Sequence, residues 1–147
     1  MLRNLLIGAG TMTLCLFLQS IVMVYALRYY GRRHSVATGA SWWSTLFIIN
    51  GVMLLLLLGS TAQLSIWAIV FMRVGEFEAF ADAFYQSAVN FATLGYGDIV
   101  MSERNRLLGP LEAINGILMI GVSTAALLAT FQDAIRKITQ ARRGAVE

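Results

Sequence analysis

The chain has 147 residues, enough for one domain, with 58% hydrophobic and only 13% charged residues and a net charge of +3. Soluble domains hold about 45–50% apolar and about 25% charged residues, so this composition excludes a water-soluble fold and points to lipid as the main solvent. A single cysteine, Cys15, excludes an internal disulfide and a multi-cysteine metal site. The basic residues flank apolar runs and form no aromatic-interleaved patch, so nucleic acid is not an expected partner. No alternating ten-residue strands of the kind a membrane barrel needs are visible. The expected fold class is therefore an all-α membrane protein.

The first apolar run, Leu5 to Leu27, carries no charge. At about 1.5 Å per residue it is long enough to cross a hydrocarbon core of about 30 Å. It exceeds the apolar region of about 7–15 residues in a signal peptide, and no small-x-small cleavage site follows, so a retained helix is expected. Cys15 within it reads as a small buried hydrophobe. A basic segment from Arg28 to His34 follows and is expected to be a cytoplasmic loop, which puts the N-terminus outside. His34, the only histidine, has nothing nearby to complete a metal site. Residues 1–41 thus form a first unit, a transmembrane helix and its basic loop.

The second apolar run extends from about Trp42 to Met72. Trp42 and Trp43 suit an interfacial anchor, and Val52 to Leu58 reads as facing lipid on most sides. Gly59, Ser60, Thr61, Gln63 and Ser65 are small or polar and fit a helix–helix contact. The stretch from Arg73 to Arg106 then changes character. An amphipathic run from Glu78 to Ala92, about 22 Å as helix, is too short to span. Between two spans it predicts a re-entrant half-helix, which is tolerated at membrane depth only when surrounded by protein. The third span runs from about Leu107 to Phe131. Arg136, Lys137, Arg142 and Arg143 follow it as a second cytoplasmic signature.

With both basic segments inside, residues 73–106 lie outside. They carry five acids and three arginines, a net of −2, opposite in sign to the inner face. Such a mouth concentrates cations.

Within that outer region stands Thr93-Leu94-Gly95-Tyr96-Gly97-Asp98. A dehydrated potassium ion needs a ring of oxygens already held in place. An extended segment presents successive carbonyls to one axis only if its backbone alternates between left- and right-handed torsions, which glycine does at little cost. Gly95 and Gly97 supply that freedom, Thr93 adds a hydroxyl, and Leu94 and Tyr96 turn their side chains away. The hexapeptide resembles the Thr-Val-Gly-Tyr-Gly-Asp signature of potassium channels, and its place between two spans after a short helix strengthens the likeness. The resemblance implies potassium bound at Thr93, Leu94, Gly95 and Tyr96, and a homotetramer, one strand per subunit. It also implies support of the filter by Asp98 and by the aromatic Tyr85. The resemblance covers about Trp42 to Phe131, the pore module, and leaves the first helix outside. Gly116 falls where the family has its hinge glycine, and Gly121 to Thr130 resembles the small-residue lining of the lower cavity, although helix packing explains small residues equally well.

Departures are visible too. Ala92 stands where a second threonine is common, Val89 where many bacterial members have a glutamate, and Leu94 where valine is usual. Glu112 and Asn115 lie inside the third span, where an ionisable group costs about 2.5–3.5 kcal/mol to insert. Glu112 is expected either to bond the short helix near Asn90, supporting the filter, or to reach the outer water. Asn115 faces the cavity or a neighbouring helix. No span carries arginines at every third position, so no voltage sensor is expected. Residues 132–147 are too short for a sensing domain and are expected to continue the inner helix in part.

The sequence therefore predicts a multi-pass cell-membrane channel subunit that conducts potassium passively and is not an enzyme. No cofactor is expected beyond the permeant ion. Expected partners are three further copies, membrane lipid and an additional regulatory subunit. A weakly selective cation channel and a non-conducting scaffold are the rival readings.

Overall fold

The computed structural model describes residues 1–36 and 42–144 and contains four helices, with no strand among the described residues. They are α1 (Leu2–Val36), α2 (Trp42–Arg73), α3 (Phe80–Phe91) and α4 (Leu108–Gly144). Three of them, α1, α2 and α4, are long and apolar enough to cross a membrane. The chain is a multi-pass membrane protein.

The basic segment from Arg28 onward is not a loop. α1 runs through it to Val36, because only the apolar signal ends at the membrane surface. The backbone hydrogen bonds of a helix continue into the headgroup zone unless something breaks them. The connecting residues 37–41 and the side chain of His34 lie outside the described residues. α4 likewise continues past Phe131 to Gly144, so most of the expected tail is helix. The short helix is tighter than expected, since Glu78 lies before it and Ala92 is its C-cap.

α1 runs parallel to α4 at a constant register. Arg3 bonds Asn105, Gln19 bonds Ser123 and Tyr30 bonds Asp133, at sequence separations of 102, 104 and 103. α1 is antiparallel to α2: Gln19 meets Gln63, Val22 meets Gly59 and Tyr29 meets Gly51. Apolar side chains gain nothing from lipid by associating, so helices in a membrane are held by close backbone approach and interhelical polar bonds. Both are present. A side chain at Gly8 would overlap Leu111, and one at Gly51 the Tyr29 ring. The buried face of α1 is correspondingly small and polar: Asn4, Gly8, Thr11, Cys15, Gln19, Ala26 and Tyr30, spaced three, four or seven apart.

Two apolar clusters bracket a polar layer. One gathers Cys15, Trp67, Ala68, Phe71, Ala83 and Leu108, and the other Ala26, Tyr30, Ile48, Val52 and Leu56. Between them Gln63, fully buried, donates to Gln19 at 2.8 Å, and Gln19 donates to Ser123 at 2.9 Å. Gln63 thus serves packing, while Val52 and Leu56 in the leucine-rich run turn inward.

Candidate functional site

α3 ends in a Schellman motif. The Thr93 N–H donates to the Asn90 carbonyl and the Leu94 N–H to the Val89 carbonyl, both at 2.9 Å. This pair of bonds needs a left-handed residue just past the helix, usually glycine. Here it is Thr93, at φ 58°. A β-branched residue in this region is uncommon and strained. Nothing in the residue types announces it, since the sequence assigns left-handed torsions to glycines.

The next left-handed residues are Gly95 at φ 60° and Gly97 at φ 74°, while Leu94 and Tyr96 keep negative φ. Handedness therefore alternates at every residue from Thr93 to Gly97. Among the described residues, the carbonyls of this segment accept no hydrogen bond. All five residues are exposed in the single chain, Leu94 by 53% and Tyr96 by 66%. The carbonyls of this extended segment are therefore not tied to their own chain and are open to solvent or to a partner.

Beyond the strand, the Tyr85 hydroxyl donates to Asp98 at 2.6 Å. That bond lowers the Asp98 carboxyl below its usual range and raises the Tyr85 hydroxyl above its own. The far end of the strand is thereby tied back to the helix that precedes it.

Behind the strand, Glu112 on α4 is fully buried. It accepts from the Ser87 hydroxyl at 2.5 Å and from the Asn90 amide at 3.1 Å. Ser87 also lies 3.0 Å from the Leu64 carbonyl of α2, and Gln86 donates to Asn90 at 3.1 Å. The Glu112 carboxyl thus joins α4 to α3, Ser87 adds the contact with α2, and the carboxyl does not reach the surface of the chain. Ser87 and Gln86 carried no signal in the sequence beyond being polar residues on a short amphipathic helix. Asn115 is also fully buried, and among the described residues neither amide atom has a hydrogen-bond partner of ordinary geometry.

Gly116 faces the end of α3. A Cβ there would overlap the carbonyl oxygen, carbonyl carbon and Cα of Phe91. Close approach of two backbones is therefore a sufficient reason for glycine at this position, quite apart from bending. A cleft of about 500 Å³ remains beside the strand, lined by Asn90, Thr93, Gly95, Gly97 and Gly109 among others.

The connections before α3 and after Asp98 are braced separately. Glu76 accepts from the Ser102 N–H at 2.8 Å, the Ser102 hydroxyl at 2.5 Å and the Asn105 amide at 2.7 Å. Burial alone would raise its carboxyl, but the bonds from Ser102 and Asn105 and the charge of Arg104 outweigh that and lower it. Asn105 in turn accepts from Arg3 at 2.7 Å, and Asn4 donates to the Arg104 carbonyl at 2.7 Å. The start of α1 is thus fastened to the loop that follows the strand. At the opposite end of the bundle, Lys137 lies 5.5 Å from the Tyr30 ring centroid, so the basic clusters of α1 and α4 share one side.

A family model described as ion channel matches residues 51–133, more than half of the chain. No curated protein and no solved structure matches.

Proposed function

The chain belongs to the ion channel family, and from that premise we propose that it is one subunit of a homotetrameric, potassium-selective channel whose filter is Thr93 to Gly97. The observation that carries the proposal is the alternation of handedness along this segment, with left-handed φ at residues 93, 95 and 97. Such alternation turns consecutive carbonyls toward one side of the strand. Four strands around an axis then replace the water shell of a dehydrated cation at successive levels. In a single subunit the strand is exposed, as the lining of a shared axis must be.

The rest of the site supports the same reading. α3 enters the membrane from the outer side and returns as the filter, a re-entrant path that requires surrounding protein. Its C-terminal end carries the negative end of the helix dipole and faces a cation waiting at the inner entrance. Asp98 and Tyr85 hold the outer end of the filter. Glu112, through Ser87 and Asn90, holds α3 from behind. The shared side of the two basic clusters is cytoplasmic, which puts the N-terminus outside and the C-terminus inside. Gly116 permits the inner helix to approach the filter helix, and bending there would widen the inner mouth.

The test is flux from purified protein in liposomes, potassium against sodium, with Gly95→Asp as the control. Potassium efflux well above sodium efflux, abolished by the substitution, supports the proposal. Equal fluxes favour a weakly selective cation channel, and no flux from a correctly assembled protein favours a scaffold. A monomer by mass measurement in a mild detergent removes the tetrameric filter.

A further inference from the structure

At the basic end of α1 one face carries Tyr25, Arg28, Tyr29, Arg32 and Arg33, residues spaced three and four apart and therefore aligned. Together with Leu55 of α2 they line a groove of about 470 Å³. The groove is built rather than incidental. Tyr29 seats its ring where Gly51 of α2 has no side chain, so closely that any Cβ there would overlap it. Arg33 stacks over the same ring at 5.9 Å. Among the described residues the lining contains three guanidinium groups and no carboxylate. Its floor is apolar, and Leu58, one turn further along α2 from the arginines, is 57% exposed.

We infer that this groove binds the headgroup of an anionic phospholipid, with the phosphate held by Arg28 and Arg33 and an acyl chain lying over Leu55 and Leu58. The chemistry fits in three respects. Guanidinium forks match phosphate oxygens in a bidentate fashion. Tyrosine rings favour the headgroup depth, with one apolar and one polar end. The apolar floor continues directly from the charged groove, as the covalent link between headgroup and chain demands. A free phosphate would use only the arginines. The end of the bundle that carries them is cytoplasmic on the orientation proposed above, where anionic lipids are concentrated. The arginines and tyrosines of the site lie on α1, outside the segment that matches the ion channel family, while its apolar floor belongs to α2 inside that segment.

The experiment is native mass spectrometry of the purified full chain in detergent, titrated in parallel with phosphatidylglycerol, phosphatidylcholine and inorganic phosphate. The expected result is preferential retention of phosphatidylglycerol. In Arg28→Gln/Arg33→Gln the preference falls about thirtyfold, because each arginine near an anionic headgroup contributes about fivefold. Arg33→Gln alone loses about fivefold. The control, Arg136→Gln/Lys137→Gln, removes the same charge from α4 at the same end and leaves the preference intact. An equal loss in the control overturns the site in favour of diffuse surface charge. Displacement of phosphatidylglycerol by millimolar phosphate reduces the groove to a phosphate site and also overturns the proposal, as does equal retention of the two lipids by the wild-type chain.

Discussion

Thr93 sits in a backbone region that glycine occupies freely and a β-branched residue does not, so Thr93→Gly should stabilise the protein while damaging what it does. Left-handed backbone costs an L-residue roughly 1–2 kcal/mol. Glycine regains that amount and loses about 0.5–1 kcal/mol through the greater freedom of its unfolded chain. The Thr93 side chain is exposed in the single chain, so little burial opposes the gain. The net expectation is a stabilisation of about 0.5–1 kcal/mol, or a rise of about 1–4 °C in melting temperature for a chain of this size. Thermal unfolding of the purified protein, followed by fluorescence of its three tryptophans, measures it. Potassium-over-sodium flux should fall in the same variant, because the hydroxyl that threonine adds to the ion path is gone. A melting temperature unchanged or lowered, with selectivity intact, refutes the argument that Thr93 is kept at a strained position for its oxygen.

Gly116→Ala places a methyl group against the Phe91 backbone, which cannot rotate away, and should cost about 1–3 kcal/mol; a lower melting temperature together with altered selectivity indicates packing, whereas normal stability with altered opening indicates a hinge alone. Glu76 has a depressed carboxyl, so its contribution is present above the usual value near 4.5 and is lost as the pH falls through the lower folded value. Melting temperature should therefore decline from about pH 5 downward in the wild type, and decline less in Glu76→Gln. Gln63→Leu and Gln19→Leu, combined in a double-mutant cycle of stability, should show a coupling of about 0.6 kcal/mol, the usual worth of an interhelical polar bond in a membrane. A coupling near zero would mean that the polar layer does not hold α1 in place.

The apolar spans and the glycine-rich strand were legible because each is a composition or motif that one chemistry demands. Helix ends were not. Hydropathy stops at Leu27, but Arg28 to Val36 carry no helix breaker except Gly31, and the helix continues as its backbone bonds allow. The Schellman turn was hidden because its diagnostic residue is normally glycine and here is Thr93. Gly116 was legible as a glycine with a purpose, but its proximity to Phe91 depends on how two helices cross, which no local pattern contains. The buried face of α1 was present in the sequence as Asn4, Gly8, Thr11, Cys15, Gln19, Ala26 and Tyr30. The familiar rule that apolar residues mark the inside points the wrong way in lipid, where small and polar residues mark it instead.

That face gives α1 a position relative to Gly116 that bears on any movement of α4. Its contacts lie on both sides of the glycine: Gly8 against Leu111 before it, and Gln19 with Ser123 and Tyr30 with Asp133 beyond it. At the same time Gln19, Val22 and Tyr29 fasten α1 to α2. A bend of α4 at Gly116 with α1 held by α2 must break the two bonds beyond the glycine, at a cost on the order of 1 kcal/mol per chain. If α1 follows α4 instead, the seams where Tyr29 packs on Gly51 and Val22 on Gly59 have to open. Either way the added helix biases α4 toward the conformation described here, and it does so from outside the segment that matches the family.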